Sequence, residues 1–130
     1  MDRKVVIIEP NQMMRLFLFN YLSSTYEVEA FSSMEQLIEI EEEFDEPDLL
    51  LYTMTGESDD LIQSHISLKN SALIVLTNED KSEERIKALR MNAFDSVSKP
   101  FNPEELKVRI EIAIKKSGKR IEKRIPTIAV

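Results

Sequence analysis

The run Val97-Ser98-Lys99-Pro100-Phe101 is the stretch that decides the fold. A lysine ends a short strand-like segment. The proline after it restricts its own backbone and favours extended geometry at the preceding residue. This geometry directs the ammonium group of Lys99 out of the carboxyl end of the strand. Because ligands of open α/β sheets bind at that edge, the run raises the question of which anion Lys99 contacts.

Short apolar segments alternate with amphipathic segments along the chain. The strand candidates are residues 5–8, 26–30, 49–52, 72–76 and 94–97. The helix candidates, in which apolar residues recur every three or four positions, are residues 14–22, 34–38, 57–68, 81–91 and 103–114. Five strands alternating with five helices predict right-handed crossovers and a parallel sheet between two layers of helices.

Several side chains have expected places within these helices. The first helix is expected to turn one stripe inward, consisting of Met14, Phe17, Leu18, Tyr21 and Leu22. Either Ser32 or Ser33 is expected to cap the second helix, and Ser82 the fourth.

Composition bounds the class of protein. The chain has 130 residues, enough for one domain with a core, and it has no cysteine and one histidine, which excludes thiolate and histidine-cluster metal sites. No apolar run approaches the roughly 18 residues of a membrane span, and the N-terminal apolar run is too short for a signal peptide. We therefore expect a cytoplasmic protein with no membrane partner.

The net charge of −7 is unevenly distributed. Residues 1–117 are expected to form one domain, and residues 118–130 a basic and apolar tail or the start of a linker. Basic residues around this tail permit contact with phosphates, but an acidic chain argues against DNA binding by these residues alone.

Polar or charged residues follow four of the predicted strands. They begin the pairs Glu9-Pro10, Thr53-Met54, Thr77-Asn78 and Lys99-Pro100. In order and spacing over residues 4–116, this set resembles the CheY-like receiver domain of two-component response regulators. The resemblance implies a flavodoxin-like, doubly wound α/β fold with a five-stranded parallel sheet in the order 2-1-3-4-5 and five helices.

The same resemblance exposes departures from the family's phosphorylation pocket. Thr53 stands where the family has its phospho-accepting aspartate, Pro10 replaces one of two acids beside Glu9, and Ser96 replaces the aromatic switch residue. Glu9, Thr77, Lys99 and Pro100 match the family pattern. The resemblance therefore implies an atypical receiver that lacks the acceptor aspartate, has no catalytic residues, and holds Mg²⁺ weakly or not at all, so we expect no cofactor. A hydroxyl cannot form an aspartyl phosphate, and it is a poor nucleophile without a base.

Two roles for Lys99 remain open from the sequence. It either forms a structural ion pair with Glu9 across the pocket, or holds a small anion together with Thr53 and Thr77.

Two surfaces are candidates for protein contacts. In one class of receivers, dimers form through the fourth helix, the fifth strand and the fifth helix. The resemblance places Arg85 opposite Glu105 and Asp95 opposite Arg109 in such a dimer. Ile86 and Leu89 would form its apolar centre. The other candidate is the first helix, whose Leu16 and Phe19 point away from its inward stripe, and this helix docks phosphotransfer partners in the family.

Together these features predict a phosphorylation-independent signalling module that acts by protein–protein contact and is not an enzyme. One alternative is the regulatory domain of a DNA-binding transcriptional regulator whose effector lies beyond Val130. Another is a divergent phosphoryl-accepting switch.

Overall fold

Five parallel strands form one sheet in the order β2-β1-β3-β4-β5. The computed structural model describes residues 3–40, 45–56, 59–60, 62, 70–117 and 128–129. The strands are β1 (Lys4–Ile8), β2 (Glu27–Phe31), β3 (Leu49–Thr53), β4 (Ala72–Thr77) and β5 (Asp95–Ser98). This confirms the predicted flavodoxin-like sheet, with β2 at one edge as its alternating sequence indicated.

Four helices lie among the described residues. They are α1 (Gln12–Ser23), α2 (Met34–Glu39), α3 (Ser82–Arg90) and α4 (Pro103–Ser117). The helix predicted over 57–68 and the tail predicted over 118–130 lie almost entirely outside the described residues. Within those residues, no helix has the length and apolar character needed to cross a membrane.

Alternation along the strands divides the core into two layers. Val5 and Ile7 point to the face covered by α1 and α4, where they pack with Leu18 and Ile110. The alternate residues along the strands point to the other face of the sheet, which α2 and α3 cover. Since β3 and β4 are buried on both faces, their continuous apolar sequences suit the centre of a parallel sheet.

Two details of the helices differ from the sequence expectation. Phe17 is 43% exposed, because the buried stripe of α1 is narrow and its fully buried residues are Leu18 and Leu22. Instead of entering the core, the Phe17 ring stacks on Tyr21 with 5.7 Å between centroids.

Ser82 does not cap α3; the cap position is Lys81, which makes no side-chain cap bond. Ser82 accepts a hydrogen bond from Arg85 instead. Ser33, one of the two serines predicted to cap α2, does so by accepting a hydrogen bond from the backbone N–H of Gln36.

Replacing Ile110 by alanine is expected to lower the free energy of unfolding by about 2–5 kcal/mol, because the fully buried side chain leaves a cavity between α4 and the sheet. The matched control is Val108→Ala on the exposed side of the same helix, for which little change is expected. Urea unfolding measures both, and equal losses would show that the α4 packing is misassigned.

Candidate functional site

Three polar side chains meet where β1, β3 and β5 end. The register pairs Ile8 with Tyr52, so the next residues along, Glu9 and Thr53, lie side by side. Lys99 follows β5, and its backbone N–H donates to the Thr77 carbonyl at 2.9 Å, which fixes it at the same edge. The peptide bond between Lys99 and Pro100 is cis.

The Glu9 carboxylate is the centre of this group. It is 1% exposed. One of its oxygens, Oε1, accepts from Thr53 Oγ1 at 2.8 Å and from Lys99 Nζ at 2.5 Å. The other oxygen accepts from the backbone N–H of Asn11 at 2.9 Å. The ion pair that the sequence predicted as one role for Lys99 is therefore present.

The other residues predicted for this pocket lie around it rather than in it. Thr77 is fully buried, and its hydroxyl bonds to Ser98 at 3.2 Å. Pro10 is exposed at the rim. Ser96 lies two residues before the end of β5 and faces a groove against α3. Of the six predicted residues, the structure joins Glu9, Thr53 and Lys99 directly.

The negative and positive charges of this site cancel each other. One buried carboxylate faces one ammonium group, so an incoming anion would have to compete with Glu9 for Lys99. Mg²⁺ prefers several oxygen ligands in octahedral geometry, whereas Glu9 is the one carboxylate of this group and already accepts three hydrogen bonds. Among the described residues no group of three or more His, Cys, Asp or Glu side chains is placed to hold a metal ion.

A second buried carboxylate, Asp59, lies beyond β3 and was missed by the sequence reasoning. It falls within the helix predicted over 57–68, which gave no reason to expect a buried charge, and it is only 2% exposed. It accepts from Tyr52 Oη at 2.6 Å and pairs with Lys87 of α3 at 2.6 Å. The backbone N–H groups of Thr55 and Gly56 donate to it at 3.1 and 2.9 Å. The cluster ties the loop after β3 to α3.

These contacts shift the ionisation of the two buried groups in opposite directions. Burial acts to raise the pKa of Asp59, but the Lys87 ammonium, the Tyr52 hydroxyl and the loop N–H groups outweigh it and lower that pKa below 3.8. Burial, followed by the hydrogen bond to Asp59, raises the pKa of Tyr52. Both effects keep Asp59 charged and Tyr52 protonated.

One sequence signal could have suggested this cluster. Gly56 has φ +83°, a left-handed conformation that favours glycine. A glycine three residues before an aspartate after a buried strand permits a tight loop whose N–H groups point at the carboxylate. The partner Lys87 comes from a distant helix and is visible only in the fold.

The surface formed by α3, β5 and α4, which we call the α3–β5–α4 face, contains the charges predicted to pair between subunits. Within one chain, Arg109 already pairs with Asp95 at 2.7 Å and with Glu105 at 2.9 Å. Arg85 already pairs with Asp80. The predicted charges are thus close together, but each arginine has its partner in its own chain.

The same face has an apolar groove of about 420 Å³ between α3 and β5. Ile86 and Leu89 of α3 and Phe94 before β5 line it and are exposed, Leu89 to 72%. On α1, the predicted residues Leu16 and Phe19 are also exposed, and they line a smaller groove. The structure therefore places both sets of apolar residues at the surface.

Comparison with known proteins gives one family. The family model described as the response regulator receiver domain matches residues 5–111. The alkaline phosphatase synthesis transcriptional regulatory protein PhoP of Bacillus subtilis is 25% identical over 122 residues, which are 90% of this chain and 50% of that protein. The chain thus spans about half the length of this curated relative.

Solved structures give the same fold. A response regulator receiver modulated diguanylate cyclase from Pelobacter carbinolicus is 30% identical with a TM-score of 0.73, over 89% of this chain and 95% of that chain. A CheY-like receiver domain protein from Methanospirillum hungatei is 23% identical with a TM-score of 0.78, over 92% of this chain and 98% of that chain.

Replacing Lys99 by methionine is expected to lower the free energy of unfolding by about 3 kcal/mol, because it leaves the buried Glu9 charge without its cation. The control is Lys81→Met, which removes an exposed pair with Glu79 and should leave stability nearly unchanged. Denaturant unfolding at neutral pH measures both. Equal effects of the two substitutions would contradict a buried, stabilising pair.

Replacing Asp59 by asparagine is expected to lower stability by about 2 kcal/mol at about pH 6, since it removes hydrogen bonds to a charged group. The folded-state pKa of Asp59 lies below its ordinary value of 3.8, so its stabilisation is complete above that pH and is lost as pH falls through the folded value. The difference in the free energy of unfolding between wild type and variant should therefore become smaller in acid. The exposed neighbour Asp60→Asn is the control, and a gap independent of pH would contradict the charged cluster.

Proposed function

The chain belongs to the response regulator receiver domain family, and on that premise we propose that it is a signalling module that works without phosphorylation, through contacts with other proteins. The observation that supports this most strongly is the hydrogen bond from Thr53 to Glu9, 2.8 Å long. Thr53 occupies the acceptor position of the family, and it is bonded to a carboxylate that Lys99 also neutralises.

Phosphoryl transfer to this position faces three obstacles. A hydroxyl cannot form the acyl phosphate that the family uses. Thr53 is buried, which also opposes modification by a separate kinase. The third obstacle is the metal: phosphoryl transfer relies on Mg²⁺ to neutralise charge, and the single carboxylate Glu9 is already satisfied by three donors. We therefore propose that the module uses no Mg²⁺ and no other cofactor, and that it is not an enzyme.

The α3–β5–α4 face is the first surface that we propose for protein docking. It combines the exposed apolar residues Ile86, Leu89 and Phe94 with a groove of about 420 Å³. An exposed apolar patch rimmed by charged residues is typical of protein interaction sites. A homodimer through this face would require Arg109 to exchange its own Asp95 and Glu105 for those of a second copy, so its net electrostatic gain would be small.

A second candidate function is the regulatory domain of a transcriptional regulator. The relative PhoP is a transcriptional regulatory protein, and this chain matches half of its length. In that case DNA would be bound by a part of the protein outside these 130 residues. The two candidates are compatible, because a docking face could regulate a separate partner or an attached effector.

Beryllofluoride with Mg²⁺ is expected to leave the amide NMR spectrum of the chain unchanged, because this phosphoryl analogue forms on an acceptor carboxylate beside a bound metal. The measurement compares spectra with and without millimolar reagents, and a receiver domain that has the acceptor aspartate serves as the positive control. Shifts centred on Glu9, Thr53 and Lys99 would contradict the proposal and support a divergent phosphoryl-accepting switch.

A further inference from the structure

The exposed side of α1 has no charged residue. Seven of its positions are exposed, namely Gln12, Met13, Leu16, Phe17, Phe19, Asn20 and Ser23. Four of these are large apolar side chains, in a chain of which 32% is charged. A surface helix normally presents charged or polar residues to water, and a helix that is apolar on most sides is normally buried. The composition of α1 is therefore that of a covered helix.

The one charge of α1, on Arg15, is directed to the adjoining loop. Its guanidinium donates to the backbone carbonyls of Glu9 at 2.8 Å and Pro10 at 3.3 Å. Arg15 is partly buried in this position. The seven exposed positions of α1 are thus uncharged, whereas the chain has a net charge of −7.

This surface has both a protrusion and a recess. Met13 projects into solvent and is 84% exposed. Beside it lies a groove of about 230 Å³, lined by Leu16 and Phe19, by Gln12 and Arg15 of the same helix, and by Ala30 of the edge strand β2. At about 30 Å³ for each water, the groove has room for several water molecules or for an inserted side chain. A surface with both features can be complementary to itself.

We propose that α1 binds a second copy of this chain in a two-fold symmetric contact, with the two α1 helices packed against each other and Met13 of each copy in the groove of the other. In such a contact the same patch meets itself, so any charge near the axis would face its own copy. Because the exposed residues of the patch are uncharged and Arg15 is bound to its own loop, this repulsion is small, which matters for two copies that each have a charge of −7.

Charge also distinguishes this surface from the α3–β5–α4 face. That face presents charged Arg85, Asp95, Glu105 and Arg109 around its apolar groove, as expected for a partner with matching charges. The exposed residues of α1 are uncharged, which favours a copy of the same surface. The inference rests on the proposed function, because it names a protein partner for the signalling module proposed above.

Sedimentation of the chain at increasing concentration tests the inference. Because this measurement uses no phosphoryl reagent, a failure of the inference can be distinguished from a failure of the proposed function. The wild type should approach twice the mass of one chain. Leu16→Glu should weaken the dimer by at least about tenfold, because it places two carboxylates near the axis. The matched control Leu89→Glu lies on the other apolar surface and should leave the dimer unchanged. Circular dichroism checks that both variants fold.

A cross-link gives a second, independent readout. The chain has no cysteine, so Asn20→Cys introduces a single thiol on the exposed side of α1. Oxidation should give a disulfide-linked dimer for this variant and none for Leu89→Cys. The inference is overturned if the wild type stays monomeric, if Leu89→Glu rather than Leu16→Glu dissociates the dimer, or if the Leu89→Cys variant alone is cross-linked.

Discussion

Burial of the Glu9 carboxylate is the constraint on which the carboxyl edge of the sheet depends. A buried charge is costly unless it is paired and hydrogen-bonded. Glu9 meets this requirement with a hydroxyl from β3, an ammonium group after β5 and an N–H from the start of α1. The carboxyl ends of three strands are therefore held to one carboxylate, which also fixes where the loops that follow them begin.

The same contacts support the proposal that this chain works without phosphorylation. The Lys99 ammonium group already neutralises Glu9, and the Thr53 hydroxyl already donates to it. A second buried carboxylate, Asp59, fixes the loop after β3 to α3 through Lys87. Because these contacts satisfy both carboxylates, they support the proposed role in protein contact over that of a phosphorylation switch.

The sequence predicted the sheet because the signal for buried strands is local. The continuous apolar runs of β3 and β4 and the alternation of β2 each identify a strand without knowledge of the rest. The Glu9–Lys99 pair could be predicted since both residues follow strands whose carboxyl ends meet. Phe17 was misplaced because a helical stripe predicts which side faces inward but not how wide the contact is. The burial of Asp59 could not be predicted, because it depends on Lys87 of a helix that approaches only in the folded chain.

The most direct test of the account is the intact mass of the chain after incubation with acetyl phosphate and Mg²⁺. A receiver domain with the acceptor aspartate, treated in parallel, shows that the reagent is active. The account predicts that the mass of this chain stays unchanged. A gain equal to one phosphoryl group, lost on replacing Thr53 by valine, would contradict it.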